Sequence, residues 1–151
     1  MIFFIAGSIY LPALFVQPQY NFLYESGNDS YYYNQHPLFV QNGKLVLKQG
    51  QKNQNLSAQK EIRLKVYDVA KNKSRGISFK EGENLKLDSN LKSPDGFKIV
   101  YDNHSGELFP LFFKSEDYSN LYLKGHNVSK KLNIQLNNFS YLDFHFIGWI
   151  K

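Results

Sequence analysis

A chain of 151 residues has room for one ordinary domain, large enough to bury a core without staples. It contains no cysteine, which excludes a disulfide framework and any thiolate metal centre. The formal charge of +5 is spread in a way that argues against a nucleic-acid partner: a nucleic-acid surface asks for Lys and Arg clustered on one face.

Residues 1–43 carry no Lys or Arg, and from Lys44 onward the basic residues are spaced singly among polar and acidic ones. The two denser runs, KNKSR at 71–75 and Lys130-Lys131, fall where turns are expected. Aromatic residues make up 17% of the chain and threonine is absent. Lys, Asn, Ile, Tyr and Phe are favoured by A/T-rich codons, so part of the tyrosine content reflects base composition.

The chain opens on MIFFIAGSIYLPALFV, residues 1–16, without a charged side chain. The run falls short of the ~20 apolar residues of a full spanning helix and exceeds a buried strand. It lacks the basic n-region and small-x-small cleavage site of a signal peptide. It reads as a transmembrane anchor or signal-anchor, whole or shortened; the competing reading is an element of the domain's own core. The following flank holds Glu25 and Asp29 and no basic residue, so the positive-inside rule puts the remainder outside the cytoplasm.

Residues 17–37, tyrosine-rich and without clean period, read as a juxtamembrane linker, and the all-β domain is expected over 38–151. Two short apolar runs at 38–40 and 45–47 flank Asn42-Gly43, the pair a type I′ hairpin favours. Residues 49–61 are polar and aperiodic. IRLKVYDV (62–69) alternates, with Ile62, Leu64, Val66 and Asp68 on one side; after a turn, RGISF (75–79) returns as a strand. A helical turn is predicted near 81–87. GFKIVY (96–101) and ELFPLFF (107–113) follow, with Pro110 demoting the second to an edge or bulged strand. NLYLKG (120–125), KKLNIQL (130–136) and FHFIGWI (144–150) complete the set. Strand signals at this spacing, with no amphipathic helix, predict an all-β domain.

An internal repeat is visible at an offset of about 57 residues, which sets Val66 on Leu123, Lys73 on Lys130, Ile77 on Ile134 and Phe79 on Leu136. Each strand–basic turn–strand unit is followed by a further strand. Ser93-Pro94-Asp95-Gly96 opens one of these, and Val66-Tyr67-Asp68-Val69 lies in the strand before the first basic turn. These two motifs resemble the WD40-like repeat of TolB-type β-propellers, in which SPDG begins the innermost strand of a blade. The resemblance covers 62–113 well and 120–150 loosely, the second copy having no SPDG. The overall layout is also similar to small uncharacterised single-span membrane proteins of reduced-genome bacteria, a likeness that implies location and shape and brings no activity. A closed propeller needs at least about four blades of roughly 40–45 residues, more than this chain supplies. The expected fold is therefore propeller-blade-like antiparallel sheets in a small open or sandwich-like domain, preceded by a hydrophobic helix.

Pro94 fixes one φ, Asp95 can bond nearby N–H groups and Gly96 accepts a left-handed conformation, so SPDG is a structural turn that aims a strand. His36, His104, His126 and His145 show no metal-ligand spacing, and His145 should point opposite to Phe144 and Phe146. No nucleophile elbow, P-loop or dinucleotide fingerprint is present. Asp68, Asp88, Asp95 and Asp143 sit where turns and strand edges ordinarily place aspartate, and DSN at 88–90 departs from a calcium loop at Lys92. N-x-S sequons such as Asn28-Asp29-Ser30 and Asn72-Lys73-Ser74 carry meaning only in a glycosylating host. Tyr31, Tyr32 and Tyr33 are the candidate ligand-binding residues, by ring stacking on a glycan or by lying in the lipid interface.

These residues lead to a membrane-anchored, extracytoplasmic β-domain with a non-catalytic binding or scaffolding role in the bacterial envelope. Its expected partners are the membrane, through residues 1–16, and an envelope protein or glycan; no cofactor, metal or nucleic acid is expected. The alternative is a divergent envelope hydrolase, which would need Asp68 or Asp143 close to His104, His126 or His145 in a deep pocket.

Overall fold

The computed structural model describes residues 16–26, 37–48, 63–102, 120–134 and 144–151. Their secondary structure is mostly β: β1 (Phe22–Ser26), β2 (Leu38–Gln41), β3 (Lys44–Leu47), β4 (Arg63–Asp68), β5 (Lys73–Gly76), α1 (Phe79–Glu83), β6 (Leu87–Asp88), β7 (Lys98–Asp102), β8 (Asn120–Gly125), β9 (Val128–Lys131) and β10 (Phe144–Ile150). They form a five-stranded sheet in the order β5-β4-β1-β10-β6, a three-stranded sheet β7-β8-β9 and the hairpin β2-β3. Every strand pairing is antiparallel, and the sheets stay open without closing into a ring.

The five-stranded sheet is the middle layer. Phe22, Tyr24, Tyr67, Val69, Phe144 and Trp149 on one face pack against Phe97, Leu121, Leu123 and Leu132 around the three-stranded sheet. Leu23, Leu64, Val66, Leu87 and Ile147 on the other face pack against Leu38 and Leu45 of the β2-β3 hairpin. Full burial of a side chain of this size contributes about 1.5–3 kcal/mol relative to exposure, so two filled faces make this sheet the energetic centre.

Residues 17–37 are not simply a linker. Phe22, Leu23 and Tyr24 are buried, and β1 lies between β4 and β10 in the middle of the five-stranded sheet. Val16 and Tyr20 already pack on the first core, so the β-domain begins well before residue 38. The predicted N-terminal helix and Tyr31–Tyr33 lie outside the described residues.

The Asn42-Gly43 hairpin forms as expected, with φ of 51° and 73° at its two central residues. The 57-residue offset also holds in space: β4 maps onto β8 with the same bounds, and each continues into an antiparallel hairpin partner. The third strands pair differently from the sequence order. β7 joins β8 rather than the β4–β5 pair, and β10 joins β1.

Two boundaries move for identifiable reasons. Phe79 leaves the predicted strand because Ser78 and Glu81 form a capping box that starts α1 there: Glu81 N–H donates to Ser78 Oγ, and Ser78 N–H donates to Glu81 Oε2. In β10, strict alternation would set Trp149 opposite Phe144 and Phe146. A bulge intervenes: Leu23 pairs with Gly148 and Tyr24 with Phe146, leaving Ile147 as the extra residue. The phase shift returns Trp149 to the core of Phe144 and Phe146 while Ile147 enters the other.

Candidate functional site: the SPDG turn, an adjoining groove and a row of lysines

The Ser93–Gly96 turn is held by its own side chains. Ser93 N–H donates to the Phe97 carbonyl at 2.7 Å, Gly96 N–H donates to the Ser93 carbonyl, and Phe97 N–H donates to Ser93 Oγ at 2.8 Å. The Ser93 hydroxyl lies within reach of both Asp95 Oδ1 and the Phe97 carbonyl. Gly96 takes φ of +90°, which an L side chain rarely adopts.

Asp95 reaches beyond the turn. Its Oδ2 accepts the Gln19 N–H at 2.7 Å, fastening the segment that leads into β1. Its carbonyl accepts from His126 Nε2 at 2.8 Å, fastening the β8–β9 turn and requiring the proton on Nε2. His126 and Asn127 both have positive φ there, the type I′ geometry in a version without glycine.

Beside the turn runs an open groove of about 1000 Å³, lined by Tyr20, Asp88–Pro94 and Lys151. Asp88 is occupied within it: Oδ2 pairs with Lys151 Nζ at 2.9 Å, and Oδ1 accepts the Asn90 N–H. These contacts, the lysine first, hold the Asp88 carboxyl below the usual carboxylate range. Trp149 Nε1 donates to the Asn90 carbonyl and anchors the loop to the core. Leu91, 81% exposed, stands at the rim.

The carboxylates and histidines named from sequence are not brought together. Asp68 caps its own turn, accepting the Lys71 N–H and pairing with Lys71 Nζ, and the backbone bond foremost lowers its pKa. His126 serves the turn. His145 does point away from Phe144 and Phe146, and stands in register with Glu25 of β1, its Nδ1 3.7 Å from Glu25 Oε2. Neither lines the groove. His36, His104 and Asp143 lie outside the described residues. Among the described residues there is no group of three potential metal ligands and no helix long and apolar enough to cross a membrane.

One feature escaped the linear reading. Lys92 bridges Lys98, and Lys98 pairs with Lys124, so three lysines far apart in sequence form one row across the edge of the three-stranded sheet. The next row on that face is Val100, Tyr122 and Lys131, with Lys124 Nζ 5.8 Å from the centre of the Tyr122 ring. Strand register alone creates this cluster; no run of basic residues announces it.

The chain matches no protein-family model, and neither a characterised protein nor a solved structure is similar to it at a significant level.

Proposed function

We propose that the chain is a membrane-anchored β-domain displayed outside the cytoplasm, with sheets related to TolB-type propeller blades and a non-catalytic binding or scaffolding role in the bacterial cell envelope. The observation that carries this reading is how its reactive side chains are used. Ser93, Asp95 and His126 join the N-terminal segment, β7 and the β8–β9 turn, while Asp68 and Asp88 are engaged by Lys71 and Lys151. Groups committed to joining segments suit a rigid display surface better than proton transfer. The apolar run 1–16 and its acidic flank support the location. The Glu25–His145 pair is the observation that favours the second reading, a divergent hydrolase; its distance from the groove lining weakens that reading.

The test is topological. With the full chain produced in a bacterium, alkaline carbonate should leave it in the membrane, and protease added to intact spheroplasts should digest the β-domain. Release by carbonate, or digestion only after lysis, would overturn the assignment.

A further inference from the structure

We propose that the outer face of β7-β8-β9, led by Lys92, Lys98 and Lys124, is a seat for the anionic lipid headgroups of the bilayer beside which the domain stands. The proposal rests on the membrane anchoring argued above. Residues directly opposite in an antiparallel pair share a face, and like charges so placed repel one another. The Lys92–Lys98–Lys124 row therefore carries an internal cost in the isolated domain. An anionic surface converts that repulsion into attraction, which a second copy of the same basic face would not do.

The other residues of the face fit the same occupant. Ile99, Leu121, Leu123 and Val128 turn inward to the core, leaving Val100, Tyr122 and Lys131 in register beside the lysine row. Tyrosine with an apolar ring and a polar tip is favoured at the lipid–water boundary. Leu91, immediately before Lys92, offers an exposed apolar side chain at the same edge. An open antiparallel sheet can meet a planar surface along several residues at once.

Position completes the argument. Lys92 leads directly into the SPDG turn, and Asp95 of that turn holds the N–H of Gln19, three residues after Val16. Val16 itself packs on the core, so no free spacer separates the end of the apolar run from the domain. The lysine row is thus tied through one turn to the point where the apolar run meets the fold.

The experiment compares the full chain reconstituted into vesicles of phosphatidylcholine alone and vesicles also containing phosphatidylglycerol, with amine acetylation read residue by residue by mass spectrometry. Lys92 and Lys98 should react several-fold more slowly in the anionic vesicles, the protection should vanish at high salt, and exposed Lys80 on α1 should react equally in both. Equal rates at Lys92 and Lys98, with the chain firmly held in both vesicle types, would overturn the seat and leave the anchor standing. A chain that floats with neither vesicle overturns the anchor and the seat together. Protection by soluble polyphosphate without protection by the anionic vesicle would assign the face to a soluble polyanion and overturn the lipid proposal.

Discussion

The carbonyl oxygen of Asp95 and Nε2 of His126, residues from two different turns, stand 2.8 Å apart. Through this bond the SPDG turn and the β8–β9 turn close one end of the three-stranded sheet. Ser93 completes the turn from inside, where it is 5% exposed and accepts the Phe97 N–H. The two contacts should differ in worth. Ser93→Ala strands a buried donor and is expected to cost about 1–3 kcal/mol, whereas His126→Ala releases an exposed carbonyl to water and should cost about 0.5–1.5 kcal/mol. Urea unfolding of both variants measures the difference; a larger loss for His126→Ala would mean the turn is not held from within.

Two glycines give a sharper contrast. A Cβ at Gly125 would meet the Gly96 carbonyl oxygen at 2.8 Å and Phe97 Cα at 3.0 Å, both backbone atoms that cannot swing aside. Gly125→Ala should destabilise by about 1–3 kcal/mol. At Gly76 a Cβ meets nothing within 4 Å, and Gly76→Ala should be neutral or stabilising by up to about 1 kcal/mol. Thermal melting of the two variants under one buffer reads the pair.

Trp149 is the chain's single tryptophan and is 1% exposed on β10. Its emission therefore reports the docking of that strand. Emission should be blue-shifted in the native protein and move to the red in the same denaturant range as the far-ultraviolet circular dichroism. An earlier emission change would show β10 leaving before the other strands. Trp149→Ala should cost about 3–5 kcal/mol.

Acid and base should each weaken the fold, through different groups. Asp68, Glu81 and Asp88 have pKa values lowered by, respectively, the Lys71 backbone N–H, the Ser78 backbone N–H and the Lys151 side chain. A lowered carboxylate pKa contributes stability above the unfolded pKa, and that contribution is lost as pH falls through the folded value. Tyr24 and Tyr67 behave oppositely. Burial raises both hydroxyls, against the Ser74 contact in one case and the Asn133 N–H bond in the other. Their contribution is present below the unfolded tyrosine pKa and lost as pH rises through the folded values. Melting temperature measured across pH should therefore decline below the usual carboxylate range and again in strong alkali. Asp88→Asn should flatten part of the acid limb.

Much of the strand framework was legible because its signals are local. Asn42-Gly43 needs only its neighbours to make a hairpin, and NLYLKG and FHFIGWI carry their apolar pattern within one strand. β1 was hidden because FLYES is buried on both faces, which removes the alternation that betrays a strand, and it sits among turn-rich tyrosines. The start of α1 could have been found: Ser78 and Glu81 have the capping-box spacing in plain view. The bulge at Ile147 and the lysine row could not. Both depend on which residue faces which across strands, and that register is fixed by distant partners. Candidate chemistry was legible only residue by residue; the engagement of Asp95 with Gln19 and His126 is a product of the fold.

The pairing of Phe22 with Trp149 places the earliest described strand against the latest. During synthesis β1 leaves the ribosome long before β10 exists, and until then its edge beside β4 and its aromatic side chains have no permanent cover. Such long-range closure slows folding, because chain entropy must be spent before the contacts form. It also exposes an unpaired strand to other nascent chains. A protein built this way should depend on holding chaperones while it is made, and shortening β10 should abolish accumulation of the whole domain rather than trim its end.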